Sequence, residues 1–433
     1  MPLDLSTLDA KLDSADLVRI EGRVQAVVGM SVFGVIPGAR LGEMVQIERR
    51  VGEPLMAEVV GFDQQRVVLA PMGACSGVGP GDSITATGRS FEIAFGNALL
   101  GRVLDGLGHP IDSGPPVEGE RMEVMRRAPD PMSRPRIERP LCLGIRAIDA
   151  FATVGEGQRV GVFSGSGAGK SMLIGQIARQ AEAEVFVVCL VGERGRELGD
   201  FLQDTLGEEG RKRGVVVCST SDSPALVRMK CAYVATAIAE GFRDQGKRVL
   251  LLLDSITRFA RAAREVGLAA GEAPTRRGFP PSVFSALPAL LERSGPAPLG
   301  SITAFYTVLV EGGDMDEPVA DEVRGILDGH IVLRRALGER GRWPAIDVLS
   351  SLSRIMDRVA SEQHSEAAQK VRGHLAVFEA KQDLVTLGAY RSGSDPRLDL
   401  ALERLRGIEG FLSQGSREKS DFHETVRRLS AFA

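Results

Sequence analysis

Apolar residues along this chain change rhythm several times, and each change marks a different kind of element. Leu3, Leu5, Leu8, Leu12 and Leu17 recur among charged neighbours at roughly helical spacing, which suits a short amphipathic helix and a frayed tail equally. From Val18 to about Gly88 the pattern shortens to β-rich runs, VRIEGRVQAVV, MVQIERRV, LMAEVVGFD, QRVVLAPM and DSITATG, parted by glycine and proline turns. Short strands at such spacing predict a small β-barrel or sandwich. Between Ala98 and Pro140, LLGRVLDGLGHPID and the proline-rich APDPMSRPRIERP read as turns and an extended connection into a second domain.

From about Ile145 to Arg335 the apolar runs GQRVGVF, EVFVVCLVGE, GVVVCST, KRVLLLLD and SITAFYTVLV alternate with helical stretches such as SPALVRMKCAYVATAIAEGFRDQ. Strands apolar on both faces, separated by helices, predict a largely parallel sheet covered on both sides. After about Pro344 the pattern reads as helical to the end. Leu398, Leu402, Leu405, Ile408 and Leu412 form an apolar stripe opposite charges, as in a helix of a small bundle. The chain is thus α/β, divided as residues 1–92 (a β-barrel with a short tail), 93–346 (the parallel-sheet domain) and 347–433 (a helical domain).

Composition narrows the class. A chain of 433 residues exceeds one ordinary core, which agrees with two or three domains. Hydrophobic residues at 43% and charged residues at 25% are those of a soluble globular protein, and a net charge of -4 advertises no nucleic-acid partner. The cysteines, Cys75, Cys142, Cys189, Cys218 and Cys231, show no zinc spacing, and two lie within apolar runs. They read as reduced packing thiols of a cytosolic protein. MPLDLSTLDAKLDSADL lacks the basic flank and apolar stretch of a signal peptide, and no run approaches a membrane span. The expected location is the cytoplasm, with docking on a membrane complex left open.

The chemistry concentrates in residues 160–182, VGVFSGSGAGKSMLIGQIARQAE: a buried strand, a glycine-rich turn and an amphipathic helix beginning at about Gly169. A turn of Gly165, Ser166, Gly167, Ala168 and Gly169 points successive backbone N–H groups at one anion, and the helix N-terminus adds its partial positive charge. Lys170 stands where an ammonium reaches the β- and γ-phosphates, and Ser171, followed by Met172, where a hydroxyl completes a magnesium shell. Ser164 departs from the strict pattern, occupying the place of its first glycine.

Phosphoryl transfer to water also needs a metal, a group that orients the water, and positive charge for the transition state. Asp254 closes VLLLLD at the carboxyl end of a strand, where an open α/β sheet presents its ligands, and is assigned to Mg2+; capping the following helix is its alternative use. Glu193 ends VFVVCLVGE and should reach the same edge as a carboxylate that polarises water. Spacing alone supports equally a loop glutamate paired with Arg194 or Arg196.

SGSGAGKS, VGERGRELGDF, LLLLDSITRFARAAREVGLAAGE, GFPPSVFSALPALLERSG, EGGDMDEPVADEVRGILDGHIVLRR and PAIDVLSSLSRIMDRV, in that order, resemble the ATPases of type III protein export, flagellar or injectisome. That family is itself similar to the catalytic subunits of rotary ATP synthases. The resemblance extends over nearly the whole chain and implies an N-terminal barrel, a central RecA-like P-loop domain and a C-terminal helical domain in a homohexamer. It implies ATP and Mg2+ as ligands, Glu193 as the catalytic carboxylate, and Arg354 as an arginine finger given to the neighbouring subunit. Its expected partners are stalk and regulator proteins, the export gate and chaperone–substrate complexes at the cytoplasmic face of the inner membrane, with no nucleic acid.

Trp343 precedes PAIDVL, where the related rotary subunits carry an aromatic on adenine; a core or interface anchor is its other reading. Tyr390 is a weaker candidate for the base pocket, and Arg258 reads as a structural partner of the acidic site edge. Three rivals remain: a rotary synthase subunit, which EGGDMDEPVADEVRGILDGH resembles less; an RNA-driven hexamer, whose barrel would need a basic-aromatic face; and a noncatalytic ring subunit, against which Lys170 and Glu193 argue.

Overall fold

Alternating apolar positions dictate the first unit. The computed structural model describes residues 19–310 and 313–433, so the leucine pattern of 3–17 lies outside the described residues. Six strands, β1 (Glu21–Val28), β2 (Ser31–Val35), β3 (Met44–Ile47), β4 (Leu55–Asp63), β5 (Arg66–Pro71) and β6 (Ser83–Ala86), close in the order β1-β2-β5-β4-β3-β6. Pairing of β6 with β1 decides for a barrel over a sandwich. Val45 and Ile47, Leu55, Ala57 and Val59, and Val67 and Leu69 point inward two residues apart, as a pleated strand requires. The β2 strand, SVFGV, escapes the sequence pattern because it is only five residues long, between glycine turns at Gly29 and Gly38. This compact unit holds residues 19–91 together with Val266–Glu272.

The second unit holds Glu92–Glu265 and Ala273–Ala433. A ribbon pairs β7 (Glu92–Phe95) with β9 (Glu120–Glu123). The main sheet contains β8 (Val103–Asp105), β10 (Arg159–Ser164), β11 (Val185–Glu193), β12 (Gly214–Thr220), β13 (Arg248–Asp254), β14 (Gly295–Pro296), β15 (Ser301–Leu309), β16 (Gly329–Leu333) and β17 (Ile346–Ser353). Its order is β17-β16-β10-β15-β13-β11-β12-β8, with β14 paired to β15. From β16 to β8 the pairs are parallel, so the carboxyl ends of β10, β15, β13 and β11 share one edge.

Two expectations change. The stretch 98–140 is not merely a connection: it supplies β8 and β9, and buried Val103 and Leu104 make β8 an edge strand too short to show a period. The chain is not helical directly after Pro344, because IDVLSSLS forms β17, antiparallel to β16. Its polar residues disguise it, with Ser351 and Asp347 buried and hydrogen-bonded to each other.

Helices Met356–Val359, Glu362–Thr386, Pro396–Leu412 and Phe422–Ser430 complete the chain. Ser361, Asp395 and Asp421 cap the last three by accepting from main-chain N–H groups, and Pro396 occupies the first turn of its helix. Leu398, Ile408 and Leu412 of the stripe are buried, and the latter two, joined by Phe411, pack with Val371, Leu375 and Leu429. Cys189, Cys218 and Cys231 are buried thiols, as core packing requires. Among the described residues no helix is long and apolar enough to cross a membrane.

Candidate nucleotide-binding and catalytic site

The strand β10 hands directly to a turn and then to the helix Lys170–Gln180. Gly167 and Gly169 adopt φ of 77° and 83°, which glycine takes without the steric cost of a side chain. At Gly169 there is also no room, since an added Cβ would lie 2.5 Å from the Trp343 ring. Ala168 is buried, whereas Ser166, Gly167, Ser171 and Met172 face solvent at the mouth of the turn. Ser164 ends β10 with its hydroxyl buried and unpartnered.

Lys170 does not wave in solvent. Its ammonium lies 2.5 Å from Asp254 Oδ1, and the two side chains are only 11% and 5% exposed. Thr307 Oγ1 donates to the same carboxylate oxygen at 2.7 Å. Asp254 ends β13, Thr307 lies in β15 and Lys170 opens the helix after β10, and those three strands are adjacent, which is why the residues meet. Thr307 was missed by sequence reasoning; its signal is a hydroxyl set within the apolar run SITAFYTVLV.

The neighbouring strand β11 overshoots. Leu190 is level with Asp254, so Glu193 projects three residues further along. Gly192, at φ 63°, makes a bulge against β12 between Val191 and Glu193, and that kink re-aims the carboxylate. Glu193 is 9% exposed and ion-paired with Arg258, whose Nη1 also donates to Gly192 O at 3.0 Å. Arg194 and Arg196 instead approach Glu197 and Asp200, so the exposed-loop pairing is not the one formed. Burial pushes the Glu193 carboxyl above its ordinary range, the Arg258 guanidinium opposes that shift, and the neighbouring Glu197 adds to it. The Lys170 charge is also felt there, as a further lowering influence. Glu193 Oε2 is buried with no protein partner. One oxygen is therefore clamped and the other is available to accept a hydrogen bond from a small polar molecule.

Trp343 lies half-buried with its ring against both Gly169 and Gly338. Arg354 is placed elsewhere. Because β17 runs antiparallel to β16, it begins at the phosphate-loop edge and ends beside Gly329, at the opposite edge. There Arg354 N donates to Asp328 O at 2.9 Å and its Nη2 to Arg324 O at 3.3 Å, with the side chain exposed. Asp328 in turn pairs with Arg159 at the start of β10. Lys170, Asp254 and Glu193 are thus brought together within one chain, and Arg354 is not brought to them. Tyr390 is occupied between the C-terminal helices, its hydroxyl donating to Asp395 O and Asp399 Oδ1 at 3.1 and 2.9 Å.

Comparison with known proteins covers nearly the whole chain. Residues 18–88 match the β-barrel domain of the ATP synthase alpha/beta family, 144–353 its nucleotide-binding domain, and 360–431 the T3SS EscN ATPase C-terminal domain. A flagellum-specific ATP synthase of Bacillus subtilis is 46% identical over 423 residues, 97% of each chain. A type 3 secretion system ATPase of Sinorhizobium fredii is 50% identical over 428 residues, 98% of this chain and 95% of that relative. The structure of the assembled ATPase EscN from the enteropathogenic E. coli type III secretion system superposes with a TM-score of 0.91 at 45% identity, covering 95% of this chain and 99% of that one. The same ATPase in complex with its central stalk EscO gives 0.88. With a closed N-terminal barrel, a parallel sheet bearing a phosphate loop and a C-terminal helical region all in the shared order, the chain belongs to the family of type III secretion and flagellum-specific ATPases.

Proposed function

We propose that this protein hydrolyses ATP to energise type III protein export, acting as a homohexamer at the cytoplasmic face of the inner membrane. The observation that carries the proposal is Glu193, held at one oxygen by Arg258 and unpartnered at the other, on the same sheet edge as Lys170 and Asp254.

The turn Gly165–Gly169 offers its N–H groups to the phosphates, and Lys170 exchanges Asp254 for the β- and γ-phosphate oxygens. The hydroxyl of Ser171 and the carboxylate of Asp254 are hard oxygen donors that fit Mg2+, which would neutralise charge developing on the phosphoryl group. The free oxygen of Glu193 accepts from the attacking water and orients it. Met172 and Trp343 border the loop where the base lies, with Trp343 offering a ring face to adenine. Arg354 serves the neighbour's nucleotide, a role supported by its exposure on the edge opposite its own phosphate loop.

In this reading, hydrolysis around the ring releases export substrates from their chaperones and promotes their unfolding and entry into the export gate, with stalk and regulator proteins as further partners. The test is ATP-driven release of a chaperone-bound export substrate. The wild-type protein should discharge the substrate with turnover, and Glu193→Gln should bind ATP without doing so. Equal release by both, or release without ATP, would overturn the proposal.

A further inference from the structure

The C-terminal helical region is bound to both ends of the phosphate-loop helix through one short segment, residues 413–420. At the start of that helix, Trp343 packs on Gly169, and its carbonyl accepts from Gln414 N at 2.7 Å. At the far end, Arg179 Nη2 donates to Ser416 O at 2.9 Å and Gln180 Nε2 to Glu418 O at 3.0 Å.

Gln414 is the joint of this clamp. It is 5% exposed, and its side-chain polar atoms are all engaged: Oε1 accepts from Arg146 N at 2.8 Å, and Nε2 donates to Gly144 O and Glu418 O, each at 2.7 Å. Arg146, itself 4% exposed, donates to Phe411 O and Ser413 O, closing the end of the helix Pro396–Leu412. The crossing has no slack. Gly144 sits at φ 72°, and a Cβ there would come within 3.0 Å of Gln180 Oε1 and 3.1 Å of Lys419 Cγ. A side chain held on three sides fixes its own backbone, so the N–H that Gln414 gives to Trp343 has a set position relative to the phosphate loop.

We infer that Gln414 is a positioning residue for nucleotide recognition, setting where the Trp343 ring lies and thereby the affinity of the site for the base of ATP. The inference rests on the proposed role of Trp343 at adenine. Removing the amide would strand Arg146 N without a partner, leave Gly144 O with Ser420 N alone at 3.1 Å, and loosen the segment that anchors Trp343. The phosphate-binding turn, which Gln414 does not touch, would keep its shape.

The full-length chain carrying Gln414→Ala, or the isosteric Gln414→Glu should the first not fold, tests this. Trp343 is the single tryptophan, so intrinsic emission reports its surroundings directly. Expected are a shift in emission and in acrylamide quenching before nucleotide is added, and an ATP affinity weakened about tenfold, equivalent to ~1.4 kcal/mol. Affinity for inorganic tripolyphosphate, which has no base, should be unchanged, and turnover at saturating ATP should stay within about twofold of wild type. A folded variant with wild-type emission and ATP affinity overturns the inference, as does equal weakening of ATP and tripolyphosphate, which would mark a general loosening. Failure of the adenine reading looks different: Trp343→Ala would bind ATP as wild type does, and wild-type emission would ignore added ATP.

Discussion

Lys170 Nζ and Asp254 Oδ1 are 2.5 Å apart, both side chains nearly excluded from solvent, so the lysine expected to meet phosphate and the carboxylate expected to meet magnesium hold each other. Nucleotide and metal therefore compete with an existing ion pair, and their binding must replace each of its partners. This relationship decides what loss of the lysine does.

Lys170→Ala should abolish hydrolysis and also destabilise the fold, because it leaves Asp254 charged and 3% exposed with only Thr307 as partner. Breaking such a buried pair costs roughly 3 kcal/mol. Denaturant unfolding of Lys170→Ala, Asp254→Asn and the double variant checks this. The double variant should be more stable than the sum of the single losses indicates, and strict additivity would show the pair to be inconsequential.

In its proposed role Glu193 must be ionised to polarise water, and burial raises its pKa, so kcat/KM should climb with pH through a limb above the ordinary glutamate range. Since Arg258 opposes the shift, Arg258→Gln should move that limb to still higher pH. The stability linkage has the reverse sign. Folding favours the protonated acid, so its contribution is fully present below the unfolded pKa and is lost as pH rises through the folded one. Glu193→Gln should lose turnover, remove the limb and retain nucleotide affinity; a persistent limb would place the titrating group elsewhere.

Gly192→Ala isolates the bulge. The nearest side-chain atoms, Arg228 Cδ and Arg258 Cδ, would be 3.5 and 3.6 Å from the new methyl, an ordinary contact. The penalty is then the left-handed backbone itself, about 1–2 kcal/mol. If the chain relieves it by shifting Glu193, kcat falls while ATP affinity holds, and steady-state kinetics beside a binding titration would show the split.

Arg354→Ala should retain nucleotide binding and lose about a thousandfold in rate, the usual worth of such a finger. Mixing it with Glu193→Gln subunits, each inactive alone, should restore activity at interfaces that pair an intact Glu193 with an intact Arg354. Specific activity of the unmutated protein should also rise with concentration as rings assemble. Full activity of Arg354→Ala would leave it a structural residue that holds Asp328 and Arg324.

Much of this site was legible because it consists of strand ends. Buried apolar runs that stop at Asp254 or Glu193 announce both the strand and the edge at which its last residue emerges. The phosphate turn announces itself by glycine spacing. What stayed hidden depends on neighbours that sequence does not make adjacent. Arg258, one helix away, captures Glu193 in preference to Arg194 and Arg196, and Thr307 reaches Asp254 only because β15 lies between β10 and β13. Short strands were equally opaque: β2 and β8 bury their residues through partners rather than through any period of their own.

The strand β17 starts three residues after Trp343, at the phosphate-loop edge of the sheet, and ends immediately before Arg354, at the opposite edge. Its eight residues lie against only five of β16, because the register slips between His330 and Val332 and the strand bulges over residues 348–351. Residues 349–351 turn back on Asp347 there instead of forming ladder pairs with β16, so the strand has slack between its two ends. In the proposed ring, the pocket beside Trp343 and the edge that bears Arg354 are thus joined by a strand with a soft middle, which lets one end shift while the other keeps its place.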